Sequence, residues 1–365
     1  MGPLHGIRVL EVGGIGPNPF AGMLLADMGA DVLRLDRSAG GPMGNPKDPT
    51  LRSRQAIALD LKSDAGREAV LALAERADAL IEGFRPGVME RLGLGPDDLF
   101  ARNERLVYGR MTGYGQEGPM ASVAGHDINY ISLAGALGAS KRAGERPMFA
   151  LNLVGDYGGG AMFLAFGVVC ALLEARSSGR GQVVDAAMVD GVAVLTSLMH
   201  GLHALGVWTE EPGTNLLDSG AHFYEVYATE DGGHVAVGAL EPQFYARLLE
   251  LLEIPAAEMP QFERDRWPEF KRRLGDVFAA RPTAHWAERL EPHDACATVV
   301  RGLFDAHQHP HMAARRTFIE LDGVRQPAPA PRFGRTPGQA TLPENDPAAA
   351  LERWGLDSAL RERLL

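Results

Sequence analysis

Strand and helix patterns alternate over the first hundred residues, and that rhythm admits few folds. IRVLEVG (7–13), DVLRLD (31–36) and ALIEG (79–83) are short apolar runs, while residues 19–29 and about 63 to 76 carry helical patterns between them. Strands joined through helices pair in parallel, because the crossover returns the chain to the same edge, so the sequence predicts a parallel sheet covered by helices. LVYGRMTG (106–113) continues the pattern as another buried strand. A helical stretch is expected from Asn152 to Arg176, with SSGRG (177–181) as its stop. QVVDAAM (182–188) then reads as a strand, and Val189 to Leu205 as a helix stopped by Gly206.

The texture changes near Phe223. FYEVYAT (223–229), a DGG turn at 231–233 and HVAVGAL (234–240) predict an antiparallel hairpin, followed by several short helices. From residue 327 a PAPAP run favours an extended return of the chain. With 365 residues there is enough chain for two cores. The expected division is a large α/β domain over 1–205, a smaller α+β domain over 206–326, and a return segment over 327–365. No internal repeat is found.

Charge narrows the partners. A formal net charge of -11 argues against a nucleic-acid or anionic-membrane surface, so any anion site must be local. Cys170 and Cys296 form no CxxC and no disulfide framework, which fits a reducing compartment. The start MGPLHGIRVLEV enters a strand pattern without a basic and then apolar leader, so no signal peptide and a cytoplasmic location are expected. The apolar run Ala161 to Leu173, containing Gly167, is expected to be a buried helix too short to span a bilayer.

Three segments carry candidate chemistry. GGIGPNPF (13–20) lies where a dinucleotide-binding loop would lie, but Pro17 and Pro19 each remove an N–H donor and the G-x-G-x-x-G spacing is not met. GHDINYISL (125–133) sets His126 between a glycine and an aspartate. Local spacing leaves two readings open for it, a structural histidine or a general acid/base. LNLVGDYGGG (151–160) sets Asp156 at the opening of a glycine-rich helix. An N-cap would explain the carboxylate, but not three successive glycines, each costing about 1 kcal/mol against alanine in a helix. HQHPH (307–311) is interrupted by Pro310 and lacks a partner carboxylate pattern, so it reads as a surface turn and no metal is expected.

The blocks RPGVMERLGLGP (85–96), MTGYGQEGP (111–119), GHDINYISL, LNLVGDYGGG and VVDAAMVDG (183–191) together resemble the family III coenzyme A transferase superfamily. Within it they are most similar to the 2-methylacyl-CoA racemases, from Leu4 to about residue 335. The resemblance implies a large Rossmann-like parallel-sheet domain built from both chain ends, a smaller α+β domain between them, and an interlocked homodimer. It implies no cofactor, since coenzyme A is part of the acyl-CoA thioester substrate.

The same resemblance carries site residues onto this chain. Coenzyme A contacts fall on Arg37, the LDLK block (Leu59, Asp60, Leu61, Lys62), Gly83, Phe84, Arg85 and Arg91, with Arg52 and Arg54 as weaker candidates. Substrate contacts fall on Gly125, Asp127, Ile128, Asn129 and Tyr130. His126 and Asp156 correspond to the pair that removes and returns the α-proton on opposite faces of the thioester, and Glu241 to an acid reaching in from a partner chain. Asn152, four residues before Asp156, can share its helical face. Met111 and Met188 are candidates for an adaptable acyl pocket. N–H groups near Asp156 are expected to stabilise the enolate. The alternative is coenzyme A transfer through an aspartyl anhydride at Asp156; the acyl group, branched fatty, sterol-derived or smaller, stays open.

Overall fold

The computed structural model describes residues 2–37, 45, 47–343 and 346–364. Six parallel strands form the main sheet: β1 (Arg8–Val12), β2 (Asp31–Asp36), β3 (Gln55–Ala58), β4 (Ala79–Glu82), β5 (Val107–Thr112) and β6 (Val183–Ala187). Their order is β3-β2-β1-β4-β5-β6, with β1 pairing β2 on one side and β4 on the other. Every strand therefore ends at one edge, and the order reverses between β1 and β4, where open α/β sheets bind ligands.

Period-two alternation divides the sheet into two buried faces. Leu10, Val12, Leu33, Leu35 and Leu80 pack on one side with Trp354, Leu351 and Leu360 from the chain's end. Val9, Val32, Ala79, Ile81 and Val107 pack on the other with Leu25, Leu164 and Val168. Both chain ends thus build one core.

Contacts divide the chain into two compact units, 1–134 with 150–195 and 310–365, and 135–149 with 196–309. The sequence-based boundaries stood at 205 and 326. The helix expected over 189–205 is two helices, Met188–Leu195 and Ser197–Ala204, and the division falls between them. In the second unit, strands Tyr224–Ala228 and His234–Gly238 form the expected hairpin and Ala297–Val299 adds a third strand. Helices Pro242–Leu251, Trp267–Ala279 and Thr283–Leu290 pack on it around Phe223, Phe270 and Phe278.

Two expectations are corrected. Arg52 and Arg54 are buried ties in the fold. Arg52 Nη2 pairs with Asp27 at 2.6 Å and its Nη1 donates to the Pro327 carbonyl at 2.6 Å, anchoring the returning segment. Arg54 pairs with Glu11, which also holds Arg34 at 2.7 Å. The apolar run is the middle of a longer helical stretch, Leu153–Ser178, long and apolar enough by composition to cross a membrane. Leu164, Val168 and Ala171 of that stretch are buried against the sheet, but Met162, Phe166, Val169 and Leu173 are exposed. A helix apolar on all sides gives no periodicity from which to read which face a single chain covers.

Candidate active site

Helix α1 (Pro17–Asp27) starts immediately after the β1 loop, because Pro17 presets the helical φ and needs no N–H partner at that position. Gly16 before it has φ 63° and ψ -110°, a conformation open to glycine, and a Cβ there would lie 3.2 Å from Asp156 Oδ2. A carboxylate thus lies against the turn where a dinucleotide's pyrophosphate would approach.

Asp156 belongs to a nine-residue π-helix, Leu153–Ala161, that runs into the α-helix Met162–Ser178. π-Helical turns are rare and concentrate at functional sites. The glycines of this segment allow tight packing: a Cβ on Gly159 would lie 2.8 Å from the Val192 nitrogen, and one on Gly160 2.8 Å from Met188. Asp156 is therefore inside the first helical turn, at the opening of a glycine-rich helix as expected, and Asn152 holds the cap position, so Asp156 is not a plain N-cap. Asn152 Nδ2 donates to Asp156 Oδ2 at 3.2 Å, so the four-residue spacing brings the two together.

Burial raises the Asp156 pKa above its usual value; the Asn152 hydrogen bond opposes this, the Asp127 charge adds to it and His126 opposes it. A carboxyl group shifted this way more readily holds a proton. Tyr130, buried beside it, is pushed up to about 12, chiefly by burial and then by Asp156.

His126 caps the helix Asp127–Leu133 through its backbone, its N–H donating to Asn129 Oδ1 at 3.0 Å, and its residue is exposed. A cavity of about 300 Å³ is lined by His126, Asp156, Gly83, Phe84, Arg85, Gly125 and Tyr130, with Met111 and Met188 supplying apolar wall. It sits at the reversal between β1 and β4. Burial raises Glu82 to about 7 at the end of β4, where its carboxylate accepts the Phe84 N–H at 2.7 Å and so ties the loop lining the cavity.

The remaining expected residues lie elsewhere. Asp127 is buried and its Oδ2 accepts the N–H groups of Gly155 and Asp156, at 2.6 and 2.8 Å, so it is not a cavity wall. Those two amides are therefore not free to stabilise an enolate, which corrects that expectation. Asn129 serves the cap, and Ile128 is exposed outside the cavity lining. Leu59 is buried in the core, while Asp60 accepts the Lys62 N–H in the turn beyond β3, Leu61 packing partly on the core. Arg37 follows β2 and is exposed, as is Arg91 in the short helix Val88–Arg91. These three segments follow the carboxyl ends of β3, β2 and β4, on the same strand-end edge as the cavity. Glu241 belongs to the second unit, exposed at the cap of helix Pro242–Leu251.

Sequence reasoning missed Ile15, Gly16 and Tyr114, with Val123 and Ala124, as cavity walls. Gly16 could have been found, since it precedes a proline-started helix at a strand end. Tyr114 stands in the MTGYGQEGP block, but no local pattern there tells that the 114–124 loop folds over the cavity.

The comparisons with known proteins agree with this architecture. The family model described as CoA-transferase family III matches residues 4–350. The alpha-methylacyl-CoA racemase of Mus musculus is 45% identical over 92% of this chain and 87% of its own, and that of Homo sapiens is 42% identical over the same shares. The crystal structure of a CaiB/BaiF family protein from Brucella suis, 23% identical, superposes with a TM-score of 0.80 over 98% of this chain and 100% of that one, a likeness of fold. The chain belongs to CoA-transferase family III.

Proposed function

We propose that this enzyme interconverts the (2R) and (2S) forms of 2-methylacyl-CoA thioesters by 1,1-proton transfer between His126 and Asp156. The observation that carries the reading is the meeting of an exposed imidazole and a raised carboxyl in one cavity with apolar methionine walls. Two relatives named as racemases at 45% and 42% identity support the same choice within the family.

Inverting a carbon α to a thioester needs one group to take its proton and a second, protonated group to supply one from the opposite face. Neutral His126 removes the α-proton, the electron pair moves onto the thioester oxygen as an enolate, and protonated Asp156 returns a proton to the α-carbon. The other enantiomer reverses the roles. With the Gly155 and Asp156 amides engaged, the enolate oxygen is assigned to the backbone amide of Asp127, which follows the cavity-lining His126 and as a first-turn group of its helix has no intrahelical acceptor. No redox step enters this scheme, and coenzyme A is carried by the substrate.

Arg37, Lys62, Arg85 and Arg91 are proposed to meet the phosphates of coenzyme A, with backbone from Leu59 to Leu61 and Gly83 to Phe84 beside them. A second copy of the chain is proposed to cover the exposed Met162–Leu173 stripe and to bring its Glu241 to His126, in the interlocked arrangement. A cytoplasmic location is the matching proposal for the compartment.

One other reading is favoured by a specific feature, the shared carboxylate. In coenzyme A transfer, Asp156 would attack the thioester carbonyl, releasing the coenzyme A thiolate and leaving a mixed anhydride. Incubating a single enantiomer of 2-methylacyl-CoA in deuterated water separates the two. Racemisation predicts α-deuterium with loss of optical purity; coenzyme A passing to an added carboxylate without exchange would overturn the proposal.

A further inference from the structure

Asp127 stands beside one member of the proposed pair in sequence and grips the other in space. It follows His126 directly, and its Oδ2 accepts N–H groups from Gly155 at 2.6 Å and Asp156 at 2.8 Å. The residue is 5% exposed, and its Oδ1 is buried with no hydrogen-bond partner among the described residues. Both bonds are charge-assisted, the stronger class of hydrogen bond.

The receiving segment is shaped for this contact. A Cβ on Gly155 would lie 2.7 Å from Asp127 Oδ2 and 2.9 Å from its Cγ, so only glycine admits the carboxylate at this distance. Gly155 and Asp156 fall in the opening turn of the π-helix, whose i→i+5 pattern leaves the first amides without helical acceptors. The Asp127 carboxylate takes up two of them.

We propose that Asp127 is a positioning residue that sets the separation of His126 and Asp156, its backbone joined directly to the histidine and its carboxylate seating the backbone of the aspartate. The inference rests on the proton-transfer reading above and adds a role distinct from substrate contact. Proton transfer needs both groups within reach of one carbon, and a misplacement of about 1 Å can cost about 10²-fold in rate. The Asp127 charge has a second effect, because it raises the Asp156 pKa after the larger contribution of burial, while Asn152 and His126 lower it. Arg85, Tyr114 and Tyr130 are the other titratable side chains lining the same cavity.

The test measures α-deuterium incorporation and loss of optical purity across pH, in the full chain and in D127A, D127N and G155A. For D127A we expect kcat to fall ~10²-fold with KM nearly unchanged. D127N keeps an acceptor oxygen but loses the charge, so its kcat should fall less and the limb governed by Asp156 should move to lower pH. Wild-type kcat in D127A, or a loss residing wholly in KM, overturns the inference. If D127A does not fold, as read from its thermal transition, G155A decides: the added Cβ displaces the carboxylate but leaves its charge, so kcat should fall without a large shift of the limb, and a wild-type kcat overturns the proposal. The failure of the racemase reading is visible separately. Should the wild-type chain transfer coenzyme A without exchange, the same variants are run on transfer, where seating Asp156 again predicts a kcat loss and unchanged transfer overturns the inference.

Discussion

Two histidines, one in each unit, show what surroundings do to the same side chain. His126 caps a helix at the strand-end edge, exposed, and lines a cavity with a carboxyl group. His222 is fully buried among Phe223, Tyr245 and Phe270, with Nε2 2.7 Å from the Tyr245 hydroxyl, and burial lowers its pKa to about 3. The Tyr245 hydroxyl donates onward to the Met259 carbonyl at 2.8 Å, so His222 carries its proton on Nε2 and is held neutral as part of a core. One region keeps a titratable group accessible to a reacting carbon; the other removes it from acid/base chemistry to complete packing.

The comparison is most sharply broken at His126. Replacing it by alanine should lower α-proton exchange by about 10³-fold while leaving the unfolding midpoint nearly unchanged, as His126 is exposed and its hydrogen bond to Asn129 Oδ1 comes from the backbone N–H, which alanine keeps. Exchange at the wild-type rate would place His126 with the structural histidines. His222→Ala should do the converse, costing about 2–4 kcal/mol of stability through a cavity and a lost hydrogen bond, with kcat retained; denaturant titration beside the exchange assay checks both.

Gly16→Ala should be milder, about 1–3 kcal/mol of backbone strain with a partial loss of kcat as the new Cβ meets Asp156. Equal kcat and stability in that variant would show that the turn does not set the aspartate. The last test is of pH dependence. Because the folded pKa of His222 lies below its unfolded value, the unfolded chain binds the extra proton, so this group's stability is complete above about pH 6.5 and falls as pH drops toward 3. His222→Ala should flatten that acid slope, and a slope unchanged from wild type would contradict the buried neutral state.

Much of the large unit was legible because its signals are local. The strands at 7–13, 31–36 and 79–83 are short apolar runs bounded by helices, and all were found in place as β1, β2 and β4. Asn152 was legible as a partner of Asp156 because a spacing of four joins them on any single helical turn. Arg52 was not legible as a structural tie, since its partners Asp27 and Pro327 are 25 and 275 residues away. The role proposed for Asp127 was hidden for the same reason: its two donors lie 28 and 29 residues on, and the family resemblance carried it over as a substrate contact.

By itself the sequence determined the alternation of strands and helices, the change to a hairpin texture near 223, and the residue types at 126 and 156. These follow from side-chain periodicity and from the chemistry each residue carries wherever it stands. The tertiary structure decided which carboxylate faces the cavity and which is buried beneath it, that the Gly155 and Asp156 amides are already occupied, and that one apolar helix face stays exposed. Those outcomes depend on contacts between segments far apart in the chain, and no local pattern encodes which of two acids, Asp127 or Asp156, the packing will leave in reach of a substrate.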